Sequence, residues 1–345
     1  MPIPIENIYY LLCYAWNKLE EKDKVNVSVD DKTTLVDLFA KVLINATRIL
    51  LKRGIDKSYV EHVEELPGIK GKMQVSQTLK RNILFKQKTI CSFDDFSSNI
   101  MANRILVTTI YKLVRIQSLD RQLKEELVAL QRMLIGIDRI EIKSVLLRQL
   151  KFNRNNRFYG FVMNVCQIIH ESTLPSEEQG HFKFADFTRD ERKMNQLFES
   201  FIRNFYRIEQ NKFTIVKKET IRWNFDETDD VSRQYLPQME TDITLENDDE
   251  KIIIDAKYYR ETMSVNYDRE KIKSGNLYQL FSYLLNQEDG SLKTLGASGM
   301  LLYPTVQGEY NLNYQFKGHK VFIRTINLNS NWKNIEYRLE QIINI

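Results

Sequence analysis

A chain of 345 residues has room for two ordinary domains, and its 43% hydrophobic and 28% charged content excludes large-scale disorder. A net charge of +4 is too small to argue for nucleic acid by itself, and no apolar run is long enough to cross a bilayer. Three widely separated cysteines (Cys13, Cys91, Cys166) and four scattered histidines give neither a disulfide framework nor paired zinc ligands. The opening stretch "MPIPIENIYYLLCYAW" lacks the basic region and cleavage site of a signal peptide, so a cytoplasmic protein with structural thiols is expected.

Along the chain, apolar residues recur at helical spacing over 35–51, with Gly54 as a C-cap. Residues 58–77 alternate apolar and polar around Pro67-Gly68, which predicts two short strands joined by a turn carrying Lys70 and Lys72. Helical spacing returns over 99–133 and breaks near Ser118-Leu119-Asp120, predicting a helical hairpin; a further helix spans 157–169. Pro, Ser, Gly and charge mix in 171–187, which marks a domain boundary. The expected organisation is an α+β N-terminal domain over 1–180, a helical hairpin plus short strands, followed by a second domain over 181–345.

In that second part an amphipathic helix over 192–208 carries Leu197, Phe198, Phe201, Ile202 and Phe205 on its apolar side. Strand-like runs follow at 213–216, 220–225, 241–245, 251–257, 299–303 and 319–326, interrupted by a helix over 276–285 and closed by one over 332–343. This order predicts an α/β domain with a mixed central sheet flanked by helices.

The stretch "METDITLENDDEKIIIDAKYY" (239–259) ends its most strand-like run on an acid and a lysine. Asn247 to Glu250 is good turn chemistry between two apolar runs, and a turn symmetric about Asp248 and Asp249 sets Asp242 opposite Asp255. Opposed residues have Cβ atoms about 4.5–5.5 Å apart, so two bare carboxylates repel unless something compensates. Mg²⁺, which takes oxygen ligands and commonly uses one or two carboxylates, is the natural compensator. Alternation puts Ile253, Asp255 and Lys257 on one face, so the lysine stands beside the cation site, where it can orient or deprotonate water or offset charge on a phosphoryl group. With 46 acids and 50 bases an Asp-x-Lys recurs by chance; its weight here comes from facing Asp242 across a hairpin. Gln279 and Tyr283, four apart, share a face of the following helix.

Taken in order, these residues resemble the PD-(D/E)xK nucleases, and within them the RecB-like branch, whose Gln-x-x-x-Tyr helix follows the catalytic lysine. Asp242, Asp255, Lys257, Gln279 and Tyr283 match the motif positions one by one; Glu240-Thr241-Asp242 lacks the proline of the first motif. Members often add an acid from the preceding helix, and "LFESFI" offers Glu199. The blocks "IPIENIYYLLCYAW", "LPGIKGKMQVSQTL", "FDDFSSNIMANRIL", "HFKFADFTRDERKM", "LPQMETDITL" and "IIIDAKYY" are similar, nearly end to end, to the McrC family, the nuclease subunits of McrBC methylcytosine-dependent restriction systems.

The resemblance implies a first part that docks on a hexameric McrB-like AAA+ GTPase and stimulates its GTP hydrolysis. It implies a second part that cuts double-stranded DNA carrying methylated cytosine, with Mg²⁺ (or Mn²⁺) held by Asp242 and Asp255. GTP is expected to stay with the partner, because "GIKGK" is too short for a P-loop. Recognition of methylcytosine is likewise expected of the partner, since no base-flipping pocket is legible here. Two other readings remain open: a free-standing RecB-like repair nuclease, and a non-catalytic activator of an AAA+ ring, against which the intact Asp242, Asp255 and Lys257 argue.

Overall fold

The computed structural model describes residues 3–16, 33–154, 156–176, 178, 180–225, 229–259, 264–266, 269–305 and 309–345. Helix α1 (Ile5–Ala15) begins after Pro4, whose missing N–H is harmless at a helix start. Helix α2 (Leu35–Arg53) is set by a reciprocal cap: Asp37 N–H donates to the Thr34 hydroxyl, and Thr34 N–H donates to the Asp37 carboxylate. It ends at Gly54, whose φ of +86° suits glycine.

Strands β1 (Ser58–Pro67), β2 (Lys72–Met73) and β3 (Lys88–Ser97) form a sheet in the order β1-β3-β2. This corrects the expected hairpin over 58–77. The segment after Pro67 does not fold back on β1; β3 comes between, pairing antiparallel with β1 along its whole length and with β2 on its other edge. The long β1–β3 ladder offers many more backbone hydrogen bonds than the two-residue β2 can. Gly71 allows the crossing: its φ is +68°, and a Cβ there would stand 2.5 Å from the Ser92 carbonyl oxygen.

The expected helical hairpin is α3 (Met101–Val114) and α4 (Arg121–Met133), and Asp120 caps α4 by accepting from Gln122 and Leu123 N–H. The Asp120 N–H itself donates to Asp37, tying the break between the helices to the start of α2. Helix α5 (Arg157–Ser172) packs against α2 and α3.

After Asp190, which caps it, α6 (Glu191–Glu209) buries Met194, Phe198, Phe201, Ile202 and Phe205. The strands β4 (Ile215–Lys217), β5 (Ile243–Glu246), β6 (Lys251–Ala256), β7 (Ser298–Thr305), β8 (Asn311–Phe316) and β9 (His319–Asn327) form a mixed six-stranded sheet. Its order is β8-β9-β7-β6-β5-β4, with β6, β7 and β9 parallel and the outer pairs antiparallel. Every residue of β6 is buried, which explains its unbroken isoleucine run. Helix α7 (Ser274–Asn286) lies so close on β7 that a Cβ at Gly299 would meet Leu284 at 2.8 Å. Helix α8 (Trp332–Ile342) packs on β9.

Two differences from expectation have local causes. The run over 220–225 shortens to Thr220–Ile221, paired with Met239–Glu240, and β8 went unpredicted because "NLNYQF" is an edge strand with a mostly exposed, polar pattern.

The chain divides into two compact units, Lys24–Ala185 and Met1–Asp23 together with Asp186–Ile345. The first helix, expected with 1–180, therefore belongs with the later part of the chain. Its reason is packing: the Tyr14 ring lies 5.6 Å from Phe201 and 5.4 Å from Phe205, and Asn204 donates at 3.0 Å to the carbonyls of Tyr14 and Ala15. Asn7 likewise donates to the carbonyls of Leu328 and Ser330. Among the described residues no helix is long and apolar enough to cross a membrane.

Candidate active site

The β5–β6 hairpin turns on Asn247, whose side chain accepts from Asp249 and Glu250 N–H, and the strands pair Glu246 with Lys251 and Ile243 with Ile254. Continuing that register by one step brings Asp242 to Asp255. The two acids then meet one lysine. Lys257 Nζ lies 2.9 Å from Asp255 Oδ1 and donates to Asp242 Oδ2 at 3.3 Å, while the Ala256 N–H donates to the same Asp242 oxygen at 3.0 Å.

Asp255 is wholly buried, and neither of its oxygens accepts a hydrogen bond; the contact with Lys257 is a charge pairing without hydrogen-bond direction. Burial pushes the Asp255 carboxyl up to about 7, with Asp242 adding to the rise and Lys257 opposing it. Burial by itself would lower Lys257, but Asp255 and Asp242 outweigh it and hold the ammonium above its ordinary range. Two carboxylates around one lysine leave a site short of positive charge.

Glu199 on α6 faces the same field: burial raises its carboxyl, the charge of Asp242 adds to this, and Lys257 opposes it. Tyr283 Oη donates at 2.8 Å to the carbonyl of Glu240, two residues before Asp242, and Gln279 Nε2 donates at 2.6 Å to that hydroxyl. Gln279 and Tyr283 therefore reach the backbone that carries Asp242; among the described residues neither makes a hydrogen bond to the carboxylates. Among the described residues no three His, Cys, Asp or Glu side chains gather into an ion-binding group.

Two residues of the site were not read from the sequence. Asn195 accepts from the Tyr258 N–H at 2.7 Å, pinning the chain just beyond Lys257, and donates to Glu199. Arg203 donates to the carbonyl of Asp242 at 3.2 Å. A signal existed: Asn195, Glu199 and Arg203 recur every four residues, a polar stripe beside the apolar face of α6.

The McrBC 5-methylcytosine restriction system component family matches residues 6–304. The type IV methyl-directed restriction enzyme EcoKMcrBC of Escherichia coli (strain K12) is 33% identical over 340 residues, spanning 99% of this chain and 97% of that protein. Among solved structures, the refined half-complex from the tetradecameric assembly of Thermococcus gammatolerans McrB AAA+ hexamers with bound McrC contains a similar chain. It aligns with a TM-score of 0.54 at 16% identity, covering 99% of this chain and 76% of that one, a likeness of fold.

Proposed function

Because the chain belongs to the McrBC 5-methylcytosine restriction system component family, we propose that it is the endonuclease subunit of a GTP-dependent, methylcytosine-directed restriction complex. In this reading it is a cytoplasmic PD-(D/E)xK enzyme that cuts double-stranded DNA by metal-assisted phosphodiester hydrolysis. The observation that carries it is the meeting of Asp242, Asp255 and Lys257, with both Asp255 oxygens buried and accepting no hydrogen bond. The Asp255 oxygens, which accept no hydrogen bond, fit a hard cation, so Asp255 together with Asp242 would hold Mg²⁺, for which Mn²⁺ would substitute. Such an ion supplies Lewis acidity toward the phosphoryl oxygens and an acidified water.

The chain's own residues do the rest. Lys257, within reach of both carboxylates, orients the attacking water or offsets charge developing on the phosphoryl group. Tyr283, steered by Gln279, fixes the backbone that presents Asp242. Glu199, raised by burial and by Asp242, is suited to hold a proton at the edge of the site.

The fold likeness to a structure of McrB AAA+ hexamers with bound McrC supports an McrB-like AAA+ GTPase ring as partner. The Lys24–Ala185 unit docks on that ring and stimulates its GTP hydrolysis; GTP stays with the partner. In this unit Ile69, Leu79 and Phe85 are 72%, 59% and 70% exposed.

The test mixes the purified chain with its McrB-like partner and methylated plasmid. Cleavage is expected only with the partner, GTP and Mg²⁺ or Mn²⁺. Excess EDTA should stop it, and Ca²⁺ should not support it, because its larger, flexible shell positions water poorly. Undiminished cleavage in EDTA overturns the metal mechanism. Cleavage by the chain alone points to a free-standing nuclease, and partner GTPase stimulation without any cleavage points to a non-catalytic activator.

A further inference from the structure

Lys257 is committed to two carboxylates, but a second lysine near the site is not. Lys273, the residue before α7, holds its ammonium 3.2 Å from the centroid of the Tyr259 ring and makes no ion pair among the described residues. A cation on an aromatic face is held by the ring's quadrupole without being neutralised, so it keeps its charge for an incoming anion.

The ring is itself fixed from below. Tyr259 Oη donates to Asn276 Oδ1 at 3.2 Å, and Asn276 Nδ2 donates to Tyr303 Oη at 2.9 Å. Asn276 and Tyr303 are buried, and Tyr303 sits on β7 two residues beyond Leu301, the strand partner of Asp255. Strand alternation puts Leu301 and Tyr303 on one face, the face of Asp255, so this chain of hydrogen bonds grows from the wall of the carboxylate site. Tyr259 in turn is two residues from Lys257. The ammonium thus rests on a ring that hydrogen bonds tie through Asn276 of α7 to Tyr303 of β7, and it makes no ion pair among the described residues.

We propose that Lys273, seated on Tyr259, anchors a backbone phosphate of the DNA strand beside the phosphate being cut. The assignment rests on the nuclease reading above. Lys273 is a substrate-binding residue in this account, and Tyr259 a positioning residue acting through it.

The test measures binding of the full chain to a short duplex DNA in EDTA, by fluorescence anisotropy across a salt series, separately from cleavage with Mg²⁺ and the partner. Lys273→Gln should bind more weakly, and its plot of log affinity against log salt should be shallower by about 0.9, the value of one lost phosphate contact on duplex DNA. Lys273→Arg should restore both. Lys273→Met, which keeps the stem on the ring, should behave as Lys273→Gln, whereas a merely packing lysine would be rescued by methionine. Tyr259→Phe should keep part of the effect and Tyr259→Leu lose it, at unchanged far-ultraviolet circular dichroism. Equal affinity and slope for Lys273→Gln and wild type overturn the proposal, as does wild-type binding without salt dependence. If the slope falls as expected but wild type fails to cut with Mg²⁺ and the partner, the phosphate site stands and the nuclease reading falls.

Discussion

At Asp255 a carboxyl group is taken wholly out of water and given no hydrogen bond, only the charge of Lys257. Taking a charge out of water costs several kcal/mol even after relaxation, which is why the proton is held up to about 7. Linkage fixes the sign. Above pH of about 4 the unfolded carboxyl ionises while the folded one keeps its proton, so this group erodes stability as pH rises toward about 7 and adds nothing further beyond it. Lys257 does not confuse the measurement, since a raised lysine contributes its full stabilisation throughout that window. Asp255→Asn removes the ionisation, so its melting temperature relative to wild type should be higher at pH 8 than at pH 5, in EDTA. Thermal melts at the two pH values check this; a difference that shrinks or reverses toward pH 8 contradicts the account. Added Mg²⁺ should narrow the gap by stabilising wild type alone. The facing of Asp242 and Asp255 was legible because turn residues and period-two alternation are local. Asn195 and Arg203 were not, because a helical stripe does not say which backbone it will meet.

Among the elements, the β1–β3 ladder shows how a correct local pattern can carry the wrong partner. Alternation in 58–67 marks a strand, but "KTICSFDDFS" follows a basic cluster and puts Asp94 and Asp95 side by side, which hides β3 from a period-two search. The outcome moves the two lysines of the expected turn apart in role. Lys72 opens β2 opposite Ser92, while Lys70 stays in the loop with its ammonium 3.8 Å from the centre of the Phe93 ring. Both are exposed. A group that stimulates a nucleotide pocket in trans is expected to present cations. Lys70→Ala together with Lys72→Ala should therefore weaken GTPase stimulation while changing stability by under about 0.5 kcal/mol. Steady-state GTP hydrolysis by the partner, titrated with the double variant, decides it: a curve that overlays wild type removes these lysines from the mechanism.

For the whole molecule, the Lys24–Ala185 unit and the unit holding Asp242, Asp255 and Lys257 are separately compact. Asp255→Ala or Lys257→Ala should then lower cleavage by about 100-fold or more, the scale of losing one charge-stabilising group, with partner GTPase stimulation intact. A folded variant that loses both activities together sinks the division of labour. What the sequence by itself determined was everything written at short range: the helical faces of α2, α4 and α6, the turn at Asn247 that sets two acids opposite each other, and the four-residue spacing of Gln279 and Tyr283. Such features follow from fixed periods of 3.6 and 2 and from turn chemistry. Tertiary structure alone decided that β3 enters between β1 and β2, that α1 joins Asp186–Ile345 through Tyr14 and Asn204, and that Lys273 rests on Tyr259. These pairings join residues far apart in the chain or across a connecting segment, and they are selected by which surfaces pack and which buried groups find partners, a choice that no local period encodes.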